Sequence, residues 1–136
     1  MNASITTILL AASTITDLVG QRVRPDELDE NDALPAIIVA LESFEPFNTF
    51  DSSCDDTGMA SVHILCCALD RSSADTIEKA VKARLLAYAG TEGDWKFQYF
   101  EHQMTNFLHE TDDDGSEEDA WFINDVHFRA HAEDVS

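Results

Sequence analysis

One segment constrains the fold more than any other: from Met59 to Asp70, apolar and polar side chains alternate over the length of a β-strand. Alternation at a period of two places successive side chains on opposite faces of a sheet. The segment therefore predicts a half-buried strand. One face consists of Val62, Ile64, Cys66 and Ala68, and the other of Ser61, His63, Leu65 and Cys67.

The stretch RSSADTIEKAVKARLLAYAG, directly after this strand, predicts a helix that ends at its last glycine. Ser72 followed by Asp75 resembles a capping box at its start. Its solvent-facing side is predicted to carry two ion pairs at i,i+4 spacing, Asp75–Lys79 and Glu78–Lys82. Its core stripe consists of Ile77, Ala80, Val81, Leu85 and Tyr88.

A further helix is predicted over residues 3–19, because apolar residues recur there at 3.6-residue spacing and Gly20 is a natural stop. The stripe consists of Ile5, Ile8, Leu9, Ala12, Ile15 and Val19. Polar residues interrupt this apolar segment and no basic residues precede it. We therefore expect neither a signal peptide nor a membrane span.

Three more strands complete the pattern. LPAIIVALESF (34–44) predicts a strand buried on both sides over part of its length, and the last third predicts a hairpin of two aromatic-rich strands, 95–110 and 119–133. The order of elements predicts one α+β domain over residues 1–136. We expect a mainly antiparallel sheet of four to five strands, with two helices packed on one face.

The charge restricts the partners. The chain has 8 Lys and Arg against 27 Asp and Glu, for a net charge of −19. Binding to nucleic acid through its phosphates needs clustered cations, so this mode is excluded. Such a charge favours basic partners, and it is also typical of hosts whose proteins are all acidic. The odd count of three cysteines argues against a disulfide framework and for a reducing compartment.

The acidic segment from Glu110 to Asp119 is the most unusual motif. Counted from Glu110, carboxylates and a glycine occupy the early positions of a calcium-binding EF-hand loop, but Trp121 occupies position 12, where a glutamate is needed. The flanks are strands instead of helices. We interpret the segment as a solvated hairpin tip. If the chain forms a ring, six residues of this segment are candidates for its lumen or rim: Asp112, Asp113, Asp114, Glu117, Glu118 and Asp119.

The sequence carries no motif for catalysis, and no cofactor or metal is expected. His127 and His131 share a face of the last strand but lie roughly 13 Å apart along it, which is too far for one metal ion. Histidines at the surface or at an interface are the simpler interpretation. We expect a protein that is not an enzyme.

Four residues are candidates for contacts with another subunit or with a further protein of an assembly. Phe47 and Phe50 would be costly to leave in water on a loop, although both rings packing onto the chain's own core is an equal alternative. Arg84 interrupts the apolar stripe of its helix, and Leu86 lies on the polar side. For Arg84 the alternative is a side chain that extends along the edge of the core.

The ordered set of features resembles the tail-terminator, or tail-completion, proteins of long-tailed bacteriophages. The matching pieces are DLVGQRVRP (17–25), LPAIIV (34–39), VHILCCALDRSSADTIEKAVKARLLAY (62–88) and the hairpin that ends in WFINDVHFRAH (121–131). The acidic segments 26–32 and 110–119 are not part of the shared pattern. The resemblance spans nearly the whole chain.

The resemblance implies a structural protein of the virion, at the head-proximal end of the tail, that is present in the host cytoplasm during assembly. It implies a hexameric ring that ends tail elongation, binds the tail-tube protein and offers a docking surface for the head connector. DNA would pass through the lumen without specific binding, and no membrane is involved. Two alternatives stay open: another neck protein, such as a stopper or adaptor, and a small acidic module that binds Ca²⁺ or mimics DNA.

Overall fold

The computed structural model describes residues 1–29, 32–47, 57–110 and 121–136, and over these ranges it contains three helices and six strands. The predicted α+β class is confirmed, with one helix and at least one strand more than expected. In chain order the elements are α1 (Asn2–Leu10), α2 (Ser13–Val19), β1 (Val23–Pro25), β2 (Ala36–Pro46), β3 (Thr57–Ala68), α3 (Arg71–Leu86), β4 (Gly90–Glu92), β5 (Trp95–Glu110) and β6 (Trp121–Asp134).

The strands form one sheet in the order β1-β2-β3-β6-β5-β4. β1 pairs with β2 in parallel, and the other pairs are antiparallel. The sheet curls into a half-barrel, so that Phe44 on β2 and Trp95 on β5 meet with ring centroids 5.4 Å apart although two strands separate them. The outer strands β1 and β4 have three residues each, too few for a periodic signal in the sequence.

The prediction of a single helix over residues 3–19 is wrong, because this segment forms two helices, α1 and α2, whose axes differ by 92°. Ala12 has extended backbone angles (φ −95°, ψ 116°) and begins α2. The bend lets Ile5 and Leu9 on α1, and Ile15 on α2, reach the same core with almost no exposed surface. Gly20 ends α2 with φ 62°, which confirms the predicted stop.

Among the described residues, no single helix is long and apolar enough to cross a membrane. The α1–α2 pair reaches the necessary length and apolarity only when its two bent parts are counted together.

The sheet has two unlike faces. The helix face packs against α1, α2 and α3 and contains the hydrophobic core, including the predicted β3 residues Val62, Ile64 and Cys66. We call the other side the open face, because the described helices leave it uncovered. Its central residues are Met59, Ser61, His63 and Leu65 on β3 and Asp125, His127, Arg129 and His131 on β6.

The start of α3 differs from the predicted capping box. Asp70 is the N-cap, and its carboxylate accepts hydrogen bonds from the backbone N–H (2.7 Å) and the hydroxyl (3.1 Å) of Ser73. Asp75 instead accepts a hydrogen bond from Asn124 of β6. The helix ends at Leu86, with Ala87 as its C-cap, and therefore stops four residues before the expected Gly90.

Candidate functional surfaces

A polar cluster around the buried Asn124 joins α3 to the β5–β6 hairpin; we call it the hairpin anchor. Asn124, which is completely buried, donates hydrogen bonds of 2.8 Å to both Asp75 and Glu78 and accepts one from Arg71. Thr105 of β5 donates to Glu78 at 3.1 Å. Glu78 is only 7% exposed, so its predicted place on a solvent-facing side is wrong.

The predicted ion pair between Glu78 and Lys82 is confirmed at 2.9 Å. It stabilises a carboxylate that is removed from water, where an unpaired charge would be costly. The sequence could not reveal this burial, because the covering residues belong to a distant hairpin.

Arg71 extends the hairpin anchor towards the tip of the hairpin. Its Nη2 donates to the carbonyl of Leu108 at 3.1 Å, and its guanidinium lies 5.4 Å from the ring centre of Phe107 and 4.9 Å from that of Phe122. Cation–π contacts and hydrogen bonds together fix the far end of β5 and β6 against the start of α3. The arrangement supports the hairpin.

A hydroxyl and an imidazole also meet at this cluster, where Nε2 of His102 lies 2.9 Å from Oγ1 of Thr105. Because the Thr105 hydroxyl proton is donated to Glu78, the imidazole must donate to Thr105. In that arrangement His102 does not act as a base towards the hydroxyl, so the pair is not an activated nucleophile.

The hairpin exposes large apolar side chains on both faces. Met104 is 50% exposed, Phe107 62% and Leu108 41%; we call these three residues the distal hairpin surface. Phe107 pairs with Asn124 on the helix face, whereas Met104 pairs with His127 on the open face. Exposed apolar groups that cluster on one element are typical of contacts with another chain. The aromatic-rich alternation of the sequence predicted the hairpin but did not indicate this surface.

The candidate contact residues named from the sequence lie in two separate places. Phe47 follows β2 and is 38% exposed. The centroid of its ring lies 5.4 Å from that of His131 on the open face. Arg84 on α3 donates from Nε to the carbonyl of Ile8 at 3.0 Å and lies 5.3 Å from the ring centre of Tyr88. Both residues make contacts within the chain. The contacts of Arg84 match the alternative in which its side chain extends along the edge of the core.

Leu86, at the end of α3, is half exposed. A role of Phe47, Arg84 and Leu86 between subunits stays a prediction. Phe50 and the candidate residues of the acidic segment lie outside the described residues: Asp112, Asp113, Asp114, Glu117, Glu118 and Asp119.

A group of titratable residues lies on the open face; we call it the open-face histidine cluster. His63 on β3 and His127 on β6 are directly paired, with ring centroids 3.8 Å apart. Nε2 of His63 lies 2.8 Å from Oε2 of Glu42, and this hydrogen bond lowers the pKa of the Glu42 carboxyl. Asp125 lies 3.2 Å from Nδ1 of His63 and 3.3 Å from Nε2 of His127. The sequence did not indicate this cluster, because the spacing of histidines along one strand does not show which residues pair between strands.

The thiols of the two described cysteines, Cys66 and Cys67, are unreactive at neutral pH. Burial raises the pKa of the Cys66 thiol well above its ordinary value, and burial together with the charge of Glu110 raises the pKa of Cys67 to about 12. Both thiols therefore stay protonated at neutral pH and are poor nucleophiles.

Comparison with known proteins shows a likeness in fold to solved structures. No family model matches the chain, and no curated protein matches it. Among solved structures, the fold is similar to that of a chain in the virion of a native gene transfer agent particle. The TM-score is 0.71, the sequence identity is 16%, and the match covers 98% of this chain and 94% of the other. At this identity the likeness establishes a shared fold.

Proposed function

We propose that this chain is a non-enzymatic structural protein of a phage-like virion, and in particular a ring subunit of the tail-terminator type. The observation that carries the proposal is the fold likeness to a virion chain over nearly the full length of both proteins. A likeness of this coverage is not produced by one shared hairpin or helix pair. The ordered motifs of the sequence support the same assignment.

The proposed role is to cap the tail tube, end its elongation and offer a docking surface to the head connector. Its partners are further copies of itself in a ring of about six, the tube protein and the connector or stopper. The distal hairpin surface supports this role, because two of its three side chains are at least half exposed in the single chain. Packing against a neighbouring subunit would remove them from water.

The net charge supports a lumen through which DNA passes without binding. At −19 per chain, a ring multiplies a field that repels phosphates. We propose that the acidic segment borders the lumen or the rim of the ring. Replacing its six candidate carboxylates by Asn and Gln should slow DNA ejection or reduce infectivity while ring assembly continues. Unchanged infectivity would rule out this placement.

The function is tested by the length of tail tubes assembled with and without the chain, measured by electron microscopy. We expect tubes of defined length when the chain is present and overlong tubes when it is depleted. Tubes of normal length that fail to join heads would favour a different neck protein instead. Normal tubes together with normal joining would contradict both assignments.

A further inference from the structure

The open-face histidine cluster brings four metal-binding groups together from three strands. β3 and β6 place His63 and His127 opposite each other, and a β-bulge between Leu41 and Ser43 sets Glu42 beside them. Bulges commonly redirect a side chain in this way. One ligand atom from each of Glu42, His63 and His127 lies within 4.8 Å of the other two. This separation suits three ligands around a single ion, given ligand bonds of about 2.0–2.2 Å.

The fourth group, Asp125, is poorly satisfied by the protein alone. Its side chain is 15% exposed, and its Oδ1 is buried without a hydrogen-bond partner among the described residues. Oδ1 lies 3.2 Å from Nδ1 of His63, whose Nε2 faces Glu42. If a metal occupies Nε2, Nδ1 carries the proton, and a small reorientation of the ring would turn this close contact into a hydrogen bond to Asp125. A carboxylate that accepts a hydrogen bond from the outer nitrogen of a ligating histidine is the usual support of such sites.

We propose that the open-face histidine cluster binds one divalent transition-metal ion of the zinc class. Glu42, His63 and His127 are the ligands, and Asp125 is a positioning residue that orients the His63 ring. Two imidazoles and one carboxylate are a donor set that suits Zn²⁺ and its neighbours, whereas Ca²⁺ and Mg²⁺ prefer oxygen ligands alone. The ion would join β2, β3 and β6 on the face that the helices leave uncovered. The proposal does not depend on the proposed function.

The test is calorimetric titration of the full chain with zinc chloride, with excess Mg²⁺ present to saturate weak sites on the acidic surface. We expect one equivalent of Zn²⁺ to bind. Cobalt chloride should give the visible absorption of a tetrahedral nitrogen and oxygen site with the same stoichiometry. His63→Asn with His127→Asn should abolish binding, and Glu42→Gln should weaken it at least tenfold. Asp125→Asn should weaken it about 10–100-fold.

Two controls distinguish this site from other side chains of the protein that could bind zinc. His131→Asn removes a histidine on the same strand and face but outside the cluster, and it should leave the affinity unchanged. Neutralising the six candidate carboxylates of the acidic segment should also leave it unchanged. Circular dichroism of each variant checks that the fold is retained. Glu42 is 60% exposed, so Glu42→Gln keeps the test valid if the double histidine variant unfolds.

Three results would overturn the proposal: no Zn²⁺ binding by the natural chain, full affinity in a folded His63→Asn/His127→Asn variant, or loss of binding in the neutralised acidic segment. The last result would assign the zinc to that segment instead.

Discussion

At the level of single residues, Asn124 is the centre of the hairpin anchor. Asn124→Ala removes its bonds to Arg71, Asp75 and Glu78, so the buried Glu78 carboxylate loses one of its partners and keeps only Thr105 and Lys82. We expect the free energy of unfolding to fall by about 1–3 kcal/mol, measured by urea denaturation. The matched control is Asn106→Ala on β5, whose side chain is exposed; its effect should stay within about 0.5 kcal/mol. Equal effects of the two variants would contradict the role of the anchor.

The buried thiols make the free energy of unfolding depend on pH. The pKa of Cys67 is raised from 9.0 to about 12, so the unfolded chain loses this proton at a lower pH than the folded chain. The stability contributed by the neutral thiol is complete below pH 9 and is lost as pH rises towards 12. We expect the free energy of unfolding to fall over this range. In the Cys66→Ala/Cys67→Ala variant the fall should be shallower, and parallel profiles would show that the thiols do not contribute.

Residue-level prediction from the sequence succeeded where the signal was local. The alternation of β3 identified the buried side chains Val62, Ile64 and Cys66 correctly. It failed for Glu78, whose burial depends on Asn124 and Thr105 in a later hairpin. The contact of His63 with His127 was not predicted, because the register between β3 and β6 cannot be read from either segment alone.

At the level of elements, the start of α3 distinguishes two capping assignments. Asp70→Ala removes the side chain that accepts the Ser73 N–H, and it should lower the free energy of unfolding by about 1 kcal/mol. Ser72→Ala, at the position expected from the sequence to be the cap, should change it by less than about 0.5 kcal/mol. Thermal denaturation of both variants measures the difference. A larger effect at Ser72 would restore the capping-box assignment.

The distal hairpin surface is expected to act between chains and not within one. Met104→Ser with Leu108→Ser should lower the stability of the isolated chain only modestly, because Met104 is already 50% and Leu108 41% exposed. Association of subunits should weaken about tenfold or more, since burying each such side chain contributes roughly 1.5–3 kcal/mol when it is complete. Analytical ultracentrifugation over a concentration series measures this.

The control for the hairpin variant is Leu69→Ser, which removes an equally apolar side chain, 62% exposed, from the turn before α3. It should leave association intact. If both variants weaken association equally, the hairpin has no special role in it.

Elements with a long periodic pattern were predicted well, and irregular or short ones were not. The sequence identified β2, β3, α3, β5 and β6, each of which has at least eleven residues. The bend between α1 and α2 contains no proline or glycine, so the apolar stripe runs through it without a visible break. The turn is explained by packing: α1 lies against β1 and β2, whereas α2 packs against α3 and α1.

At the level of the whole molecule, the fold, the exposed hairpin and the acidic charge all fit a subunit that is completed by neighbours. Among the residues that the structure describes, helices cover one face of the sheet, and the distal hairpin surface is exposed. A highly negative chain stays soluble and separate until a specific contact overcomes its self-repulsion. Ring formation triggered by the tail tube is therefore compatible with a monomer in solution.

We propose that the chain forms a ring at the end of a tail tube. The most direct measurement is light scattering behind a sizing column, with electron microscopy of the same fractions, in the presence and absence of the tail-tube protein. We expect a ring of about six subunits, either free or at tube ends only. A chain that stays monomeric and leaves the tube ends bare would contradict the claim.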